Sequence, residues 1–351
     1  MSSSSKQSFS HIRHPCIIFD IGSKAIRALI GPQKIPMGHW QQKHFVNRSA
    51  ITNLASEVQQ STLPLHSPAL KKIVSFLKEN ISSKKPIYAF ATAAFRWLDN
   101  VEQVIAHVKK QTGITIKVLS AQEEAYCALL GVCETHYMRK KGPPIPKGDH
   151  LLLIDQGGGS AEVSYIMPSN PNHYELFSFD DLGALALRKR LFHYDAQNAP
   201  IDAWNNTQSV GTQFSAMSRY IETSIQSWKG YPNLDPKNVH VYALGSATSS
   251  LFSQKSFTLH NKSLTLSDLQ EAVISAQRQL ESYNMSMGHL YVDITAYPQS
   301  AENKNRELLQ LCGLPVYISI LQRFSCSSLR LCGYGLRYGL YIAINKYNMT
   351  F

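Results

Sequence analysis

Short apolar runs and helix-like periodicities alternate along this chain. Apolar runs at 16–20 and 151–154 suit strands that are buried on both faces, although a run this short also fits a buried helix. Residues 70–81 and 101–108 place apolar side chains at i, i+3, i+4 and i+7 spacings, and residues 114–119 alternate between apolar and polar. This succession of strands and helices predicts the α/β class.

The second half of the chain carries weaker secondary-structure signals. Ser267 and Gln270 match a capping box and predict the start of a helix. Residues 303–313 predict another helix, which we expect to stop at Pro315. The run at 316–321 fits either a buried helix or a strand.

A basic segment rich in Pro and Gly, 139–150, has no periodicity and is the best candidate linker. The predicted organisation is therefore two domains with a linker between them. The predicted bounds are 1–15 for a flexible N-terminal tail, 16–133 for the first domain, 134–150 for the linker, 151–325 for the second domain and 326–351 for a C-terminal segment.

The stretch 151–166, LLLIDQGGGSAEVSYI, predicts a hairpin with a turn made of glycine. Glycine leaves no Cβ in the way of a ligand, and successive amides in such a turn converge on an anion. Asp155 before the turn and Glu162 after it are placed to face the same volume. A divalent cation bound there would offset the repulsion between the carboxylates and the phosphates. A hairpin with a flexible turn and no ligand is the alternative interpretation.

A similar sequence occurs about 135 residues before this hairpin. The sequence FDIGS at 19–23 resembles IDQG at 154–157 with the later Ser160, which indicates an internal repeat. A third Gly/Ser/Thr turn, 245–248, follows the predicted strand 239–244. Two similar α/β halves that face each other would deliver all three turns to one cleft.

Charge narrows the choice of partners. The chain has 351 residues and a formal net charge of +11, from 35 Lys+Arg against 24 Asp+Glu. A positive field of this size attracts polyanions such as nucleic acid, an anionic membrane or a phosphate-rich substrate. A solvated basic surface without any partner remains the alternative.

The cysteines and the apolar runs bear on the cellular compartment. None of the six cysteines forms a C-x-x-C pair, so we interpret them as reduced, mostly buried thiols in a reducing, cytoplasmic environment. No run of 18 apolar residues occurs, so we expect no membrane span. The first residues lack an apolar segment, so we expect no secretory signal.

Seven segments together resemble the exopolyphosphatase / guanosine pentaphosphate phosphohydrolase (Ppx/GppA) family of the actin, sugar-kinase and heat-shock-chaperone ATPase superfamily. The resemblance is carried, in chain order, by FDIGSKAIRALI at 19–30, ATAAFRWLDN at 91–100, VLSAQEEAYCALLGV at 118–132, LLIDQGGGSAEV at 152–163, DLGALAL at 181–187, ALGSATSSL at 243–251 and GLRYG at 335–339. It spans roughly 17–340. The Glu-Glu-Ala and Gly-Gly-Gly-Ser segments are fairly specific in combination.

The resemblance implies two α/β domains with actin-like, ribonuclease-H-type cores and an interdomain cleft, in the family's short form. It further implies that the C-terminal segment 326–351 returns to the first domain. It also implies Mg²⁺-dependent release of terminal phosphate from inorganic polyphosphate, and of the 5′-phosphate from guanosine pentaphosphate. The expected partners are polyphosphate or guanosine penta- and tetraphosphate, with no membrane and no nucleic acid. Mn²⁺ in place of Mg²⁺, and a homodimer, are left open.

The resemblance also assigns roles to residues. Glu124 matches the general base, although the Glu pair at 123–124 also fits acids favoured by a helix N-terminus. Asp155 and Glu162, with Asp20 as a third residue, match ligands of Mg²⁺. The phosphate-binding set comprises Ser23, Arg96, Gly157, Gly158, Gly159, Ser160 and Ser246. A structural salt bridge is the alternative role of Arg96.

The chain departs from the family pattern at five positions. They are Lys24 for Asn, Ala121 for Gly, Ala161 for Thr, Ser246 for Thr and Tyr338 for Glu. Lys24 either adds a contact to an anion or occupies the cation site. These departures keep two other functions open: a non-catalytic sensor of polyphosphate or an alarmone, and an ATP-dependent kinase or ATPase of the same superfamily.

Overall fold

The chain folds into two compact units, residues 1–144 with 334–351, and residues 145–333. Each unit contains its own β-sheet and its own hydrophobic core. The structure, a computed structural model, describes residues 15–31, 45–82, 85–138, 145–146, 148–167, 170–193, 210–229, 232–252, 262–287, 302–347 and 349.

The first unit is organised around a five-stranded sheet with the order β3-β2-β1-β4-β5. Its strands are β1 (Ile17–Ile21), β2 (Ala25–Ile30), β3 (Val46–Ile51), β4 (Ile87–Ala91) and β5 (Ile116–Val118). β1 pairs antiparallel with β2 and parallel with β4. The carboxyl ends of β1 and β4 therefore lie side by side, and the predicted phosphate turn at Ser23 follows β1.

Helices cover both faces of this sheet. They are α1 (Pro68–Glu79), α2 (Ala93–Arg96), α3 (Val101–Thr112), α4 (Ala121–Met138) and α10 (Leu336–Tyr347). α1 and α3 pack against each other and share a core with Phe19 and Ile21 of β1. α10 packs against α4 and β1, and Asp20 points to this side because strand side chains alternate between faces.

Two glycines allow α4 and α10 to pack at very short range. A Cβ on Gly339 would lie 1.6 Å from the carbonyl oxygen of Cys127, and a Cβ on Gly131 would lie 2.8 Å from that of Gly335. Neither side chain could be accommodated without separating the helices. The last glycine of the GLRYG segment is therefore a packing requirement for the helix that carries the Glu pair.

The second unit is built on a six-stranded sheet with the order β10-β11-β9-β6-β7-β8. Its strands are β6 (His150–Gln156), β7 (Ala161–Met167), β8 (Asn170–Phe179), β9 (Val239–Gly245), β10 (Ser263–Thr265) and β11 (Ser328–Leu331). Its helices are α5 (Ala184–His193), α6 (Val210–Gln226), α7 (Ser246–Ser249), α8 (Leu266–Met287) and α9 (Glu302–Arg323). Leu311, Leu314 and Ile320 of α9 are fully buried in the core of this unit.

The opening hairpins of the two units have the same register. Asp20 lies opposite Arg27 across β1 and β2, and Asp155 lies opposite Glu162 across β6 and β7. Every partner pair from Ile17↔Ile30 to Ile21↔Ile26 recurs 135 positions later. The internal repeat expected from the sequence is therefore present as a structural repeat.

Two local predictions in the second unit are wrong. Pro315 does not end a helix but lies inside α9, which continues through 316–321. A proline inside a helix costs about 3 kcal/mol, and here burial of Val316, Tyr317 and Ile320 compensates for that cost. The capping box of α8 is formed by Thr265 and Asp268, two residues before the predicted pair.

The predicted domain boundaries fall within elements of the structure. α4 continues to Met138, inside the segment predicted as a linker, and β11 belongs to the second sheet although it lies beyond position 325. Residues 1–14 of the predicted tail and 139–144 of the predicted linker lie outside the described residues. Among the helices that the structure describes, none has the length and apolar content needed to cross a bilayer.

Candidate active site

The start of α5 is hydrogen-bonded to the glycine turn between β6 and β7. The amides of Ala184 and Leu185 donate to the carbonyl oxygens of Gly157 (3.0 Å) and Gly158 (2.8 Å). The amide of Gly157 donates to the carbonyl oxygen of Ser160 (2.9 Å). By contrast, the described residues supply no hydrogen-bond acceptor for the amides of Gly158, Gly159 and Ser160. Those amides are available to an anion.

Gly183 allows this contact between the turn and the helix. A Cβ at Gly183 would lie 2.2 Å from the carbonyl carbon of Gly159 and 2.4 Å from the amide nitrogen of Ser160. Gln156 supports the same junction, since its Nε2 donates to the carbonyl oxygen of Leu182 (2.9 Å). Sequence reasoning did not assign a role to Gly183 or Gln156, although the LGA segment was a visible signal.

A pair of carboxylates flanks the turn. Asp155 and Glu162 are directly opposite in the antiparallel ladder, so their side chains leave the same face of the sheet with Cβ atoms about 5 Å apart. Glu162 is only 3% exposed, and the Ser178 hydroxyl donates to its Oε1 (3.4 Å). Two carboxylates on the same face of a sheet, one of them buried, form a pair of oxygen donors that a divalent cation can use.

The donor set fits Mg²⁺. Within the described residues no group of three or more His, Cys, Asp and Glu side chains could hold a metal ion. Mg²⁺ does not need such a group, because it commonly takes one or two carboxylates, several waters and the oxygens of a phosphate substrate. Asp155 and Glu162 supply the two carboxylates, and the adjacent amides would hold the phosphate whose oxygens complete the ligand set.

The third turn lies beside the glycine turn. Gln156 pairs with Gly245 at the ends of the parallel strands β6 and β9, and α7 begins at Ser246. Gly245 has φ +123, and a Cβ there would lie 2.6 Å from the carbonyl oxygen of Gln156 and 2.5 Å from the hydroxyl of Tyr317. That buried hydroxyl donates to the carbonyl oxygen of Leu244. Burial, followed by the nearby carboxylate of Asp155, raises the pKa of Tyr317 well above its usual value.

In the first unit, the turn after β1 is anchored by its backbone. The amide of Ala55 donates to the carbonyl oxygen of Ser23 (3.0 Å), and the amides of Thr52 and Asn53 donate to that of Lys24 (3.0 and 2.9 Å). Ser23 is buried. The structure therefore fixes the Ser23–Lys24 backbone in the same position of the hairpin that the glycine turn occupies in the second unit.

Asp20 differs from its repeat partner Asp155 in what surrounds it. Its Oδ2 lies 3.7 Å from Arg27 Nη1 and 3.9 Å from Arg337 Nε. Arg27 occupies the repeat position of Glu162. Two guanidinium groups already balance the charge of Asp20, which favours an ion-pair role over metal ligation. The signal was available in the sequence, because Arg27 follows Asp20 at the same spacing as Glu162 follows Asp155.

The two glutamates at the start of α4 have different partners. Glu123 Oε2 accepts from the amide of Ser120 (2.7 Å), the Ser120 hydroxyl accepts from the amide of Glu123 (3.1 Å), and Lys117 lies 3.3 Å from the Glu123 carboxylate. Partial burial opposes ionisation, but these hydrogen bonds and Lys117 lower the pKa of Glu123 overall. Glu123 therefore caps the helix, as the alternative interpretation of the pair expected for an N-terminal acid.

Glu124 instead points to the end of α2. Its Oε2 accepts a hydrogen bond from Arg96 Nη1 (2.8 Å), which also donates to the carbonyl oxygen of Leu119 (3.1 Å). The second terminal nitrogen, Arg96 Nη2, is buried and has no hydrogen-bond partner among the described residues. Arg96 thus forms the expected salt bridge with one nitrogen and keeps the other for a further acceptor such as a phosphate oxygen.

The structure brings the predicted residues together in two groups. Asp155, Glu162, the glycine turn and Ser246 lie together in the second unit. Ser23 and Asp20 share the hairpin of the first unit, where Arg96 also contacts Glu124.

Two α/β units with the same opening hairpin define a protein of two structurally related domains. The chain belongs to the Ppx/GppA phosphatase family, whose model matches residues 43–348. Its fold is shared with the Aquifex aeolicus PPX-GPPA enzyme, at 20% identity and a TM-score of 0.66 over 94% of this chain and 99% of that one. An exopolyphosphatase from Cytophaga hutchinsonii is similar at 17% identity and a TM-score of 0.62, over 95% of this chain and 98% of that one.

A sequence relative is exopolyphosphatase 1 of Mycobacterium tuberculosis, which is 29% identical over 164 residues. The match covers 44% of this chain and 43% of that protein. The chain therefore matches less than half the length of this relative.

Proposed function

We propose that this protein is a Mg²⁺-dependent exopolyphosphatase that releases terminal orthophosphate from inorganic polyphosphate. The observation that carries the proposal is the opposed pair of carboxylates, Asp155 and Glu162, on either side of a turn whose amides are free for an anion. Anion donors and cation ligands side by side are what a metal–phosphate complex requires.

The residues of the second unit bind and orient the substrate. The amides of Gly158, Gly159 and Ser160 donate to oxygens of the terminal phosphates, and the start of α7 at Ser246 contributes beside them. Asp155 and Glu162 would hold Mg²⁺, which would supply charge neutralisation at the phosphate oxygens.

Glu124 is the proposed general base. Its carboxylate takes a proton from a water molecule whose oxygen attacks the terminal phosphorus, and the bond between that phosphorus and the bridging oxygen breaks. Arg96 Nη1 fixes the orientation of Glu124, while Nη2 is available to an oxygen of the departing phosphate. Phosphoryl transfer of this kind depends mainly on positioning and charge, which these contacts provide.

Two finer points belong to the same proposal. Guanosine pentaphosphate ends in the same kind of phosphoanhydride as polyphosphate, so its 5′-terminal phosphate is a second proposed substrate. Five of the six cysteines are buried, and reduced thiols of this kind fit a cytoplasmic location.

The test is phosphate release from long-chain polyphosphate by the full chain, with Mg²⁺ and with a chelator. We expect release of single phosphates that requires the metal and that falls about 100-fold or more in Glu162→Gln. Glu175→Gln on β8 is the matched control and should retain wild-type activity. Binding of polyphosphate without any hydrolysis would overturn the proposal and support a sensor, while ATP turnover without polyphosphate hydrolysis would support a kinase or ATPase.

A further inference from the structure

The middle of α9 lies against the elements that carry the glycine turn and the third turn of the second unit. A Cβ on Gly313 would lie 2.8 Å from Oε1 of Gln156, the last residue of β6, and 2.3 Å from the Cβ of Ala247 in α7. α9 also packs against α5, whose start is hydrogen-bonded to the glycine turn. The missing side chain at Gly313 therefore allows α9 to contact the supports of both turns.

Tyr317 follows Gly313 by about one helical turn and therefore lies on the same face of α9. Its side chain is fully buried, and its hydroxyl donates a hydrogen bond to the carbonyl oxygen of Leu244. The same hydroxyl lies 2.5 Å from the position that a Cβ on Gly245 would occupy. The phenol thus reaches the backbone at the point where β9 ends and the third turn begins.

The surroundings of the phenol oxygen include groups from both turns. Burial is the main cause of the raised pKa of Tyr317, and the carboxylates of Asp155 and Glu162 add to it. Hydrogen bonds with the backbone of Gln156 and the side chain of Thr248 act in the opposite direction on the same pKa. One buried hydroxyl therefore lies close to the end of β6, to the end of β9 and to α7, and it stays protonated at neutral pH.

Packing alone does not account for this hydroxyl. The core around α9 is apolar, and phenylalanine at position 317 would fill the same volume without burying a polar group. A buried hydroxyl is favourable where it meets a defined acceptor, and here the acceptor is the last carbonyl oxygen before Gly245. The position of that carbonyl fixes the backbone from which α7 starts.

We propose that Tyr317 is a positioning residue for phosphate binding in the second unit. Its hydroxyl fixes the third turn relative to the glycine turn, so that the start of α7 and the amides of Gly158, Gly159 and Ser160 act on the same phosphate group. Because Tyr317 is fully buried, it acts through these turns and does not touch the substrate. This inference rests on the proposed function.

The test measures binding of orthophosphate and hydrolysis of tripolyphosphate by the full chain in the presence of Mg²⁺. Tyr317→Phe removes the hydroxyl and keeps the ring. Tyr165→Phe is the matched control, because Tyr165 is also buried and hydrogen-bonded, to Glu175, but lies in the middle of β7 away from both turns. We expect Kd for orthophosphate to rise about tenfold, and kcat/KM to fall about tenfold or more, only in Tyr317→Phe. Both variants should lose a similar amount of thermal stability.

A double-mutant cycle separates positioning from general destabilisation. If the hydroxyl of Tyr317 acts by placing the third turn, its value depends on Ser246 at the start of α7. The loss of phosphate affinity in the double variant Tyr317→Phe/Ser246→Ala should therefore be at least about threefold smaller than the product of the two single losses. The effects of Tyr165→Phe and Ser246→Ala should simply multiply.

Equal phosphate affinities in Tyr317→Phe and Tyr165→Phe, or independent effects of Tyr317→Phe and Ser246→Ala, would overturn the proposal. If the wild-type protein binds orthophosphate but hydrolyses no tripolyphosphate or longer polyphosphate, the proposed function fails, and the binding measurements alone then test the role of Tyr317. A wild-type protein that binds no orthophosphate would overturn the role given to both turns, and the role of Tyr317 with it.

Discussion

Glu123 and Glu124 are adjacent in the sequence, yet their carboxylates serve different partners. Glu123 bonds to the backbone of Ser120 and pairs with Lys117, whereas Glu124 contacts Arg96 from another helix. The sequence left open whether this pair caps a helix or performs chemistry. Local spacing could predict the Ser120–Glu123 box, but the contact between Glu124 and Arg96 joins residues 28 positions apart and needs the folded chain.

The capping role of Glu123 predicts a pH-dependent contribution to stability. Its pKa is lowered in the folded protein, so its stabilising effect is present above the unfolded value of about 4.3 and is lost as pH falls through the folded value. Glu123→Gln should therefore lower the free energy of unfolding by about 0.5–1 kcal/mol at pH 7, a modest value because the side chain is 34% exposed. Urea unfolding at pH 7 and pH 3 measures this, and an equal difference at both pH values would refute it.

At the scale of elements, the strands were predicted more reliably than the ends of helices. The β6–β7 hairpin follows from an apolar run, a glycine turn and renewed alternation, all of which are local. Pro315 was expected to end a helix, but the core residues around it keep α9 intact. The box at Thr265 and Asp268 precedes the predicted one because Ser267 bonds to Glu271 along the helix instead.

The junction between the glycine turn and α5 gives a prediction at this scale. Gly183→Ala would place a Cβ 2.2 Å from the backbone of Gly159, so the turn must move and its free amides lose their arrangement. We expect phosphate release to fall about 100-fold, since misplacement by about 1 Å has effects of this size. Steady-state kinetics and thermal unfolding measure the two effects separately.

Gly113→Ala is the control for this substitution. Gly113 ends α3 with φ +75 and has open space around its Cβ position, so alanine there should cost about 1 kcal/mol of stability through backbone strain alone. Its activity should match wild type. Equal losses of activity in the two variants would mean that the Gly183 effect is general destabilisation.

At the scale of the whole molecule, the sequence contains both the repeat and the Arg27 that replaces a glutamate in it, but not the second partner of Asp20. Both hairpins have the same register, and the second has two carboxylates where the first has Asp20 opposite Arg27. Arg337, which approaches Asp20 from α10, lies more than 300 residues away in the chain. No periodicity could have revealed that partner.

This asymmetry predicts different outcomes for equivalent substitutions in the two units. Asp155→Asn should raise the Mg²⁺ concentration for half-maximal activity by at least about tenfold, because it removes a proposed ligand. Asp20→Asn should leave that concentration unchanged and lower the free energy of unfolding by about 1 kcal/mol, because it removes a partner of two arginines. Titration of activity against Mg²⁺ tests this prediction. An equal rise in the Mg²⁺ concentration for half-maximal activity in Asp20→Asn and Asp155→Asn would refute it.

The most direct test of the account is the rate of phosphate release from polyphosphate in Glu124→Gln and Glu123→Gln. The two substitutions remove the same charge from adjacent positions, so differences in net charge and helix propensity cancel. The account predicts a fall in kcat of about 100-fold or more for Glu124→Gln, the usual contribution of a general base, and a change within about twofold for Glu123→Gln. Wild-type kcat in a folded Glu124→Gln variant would contradict it.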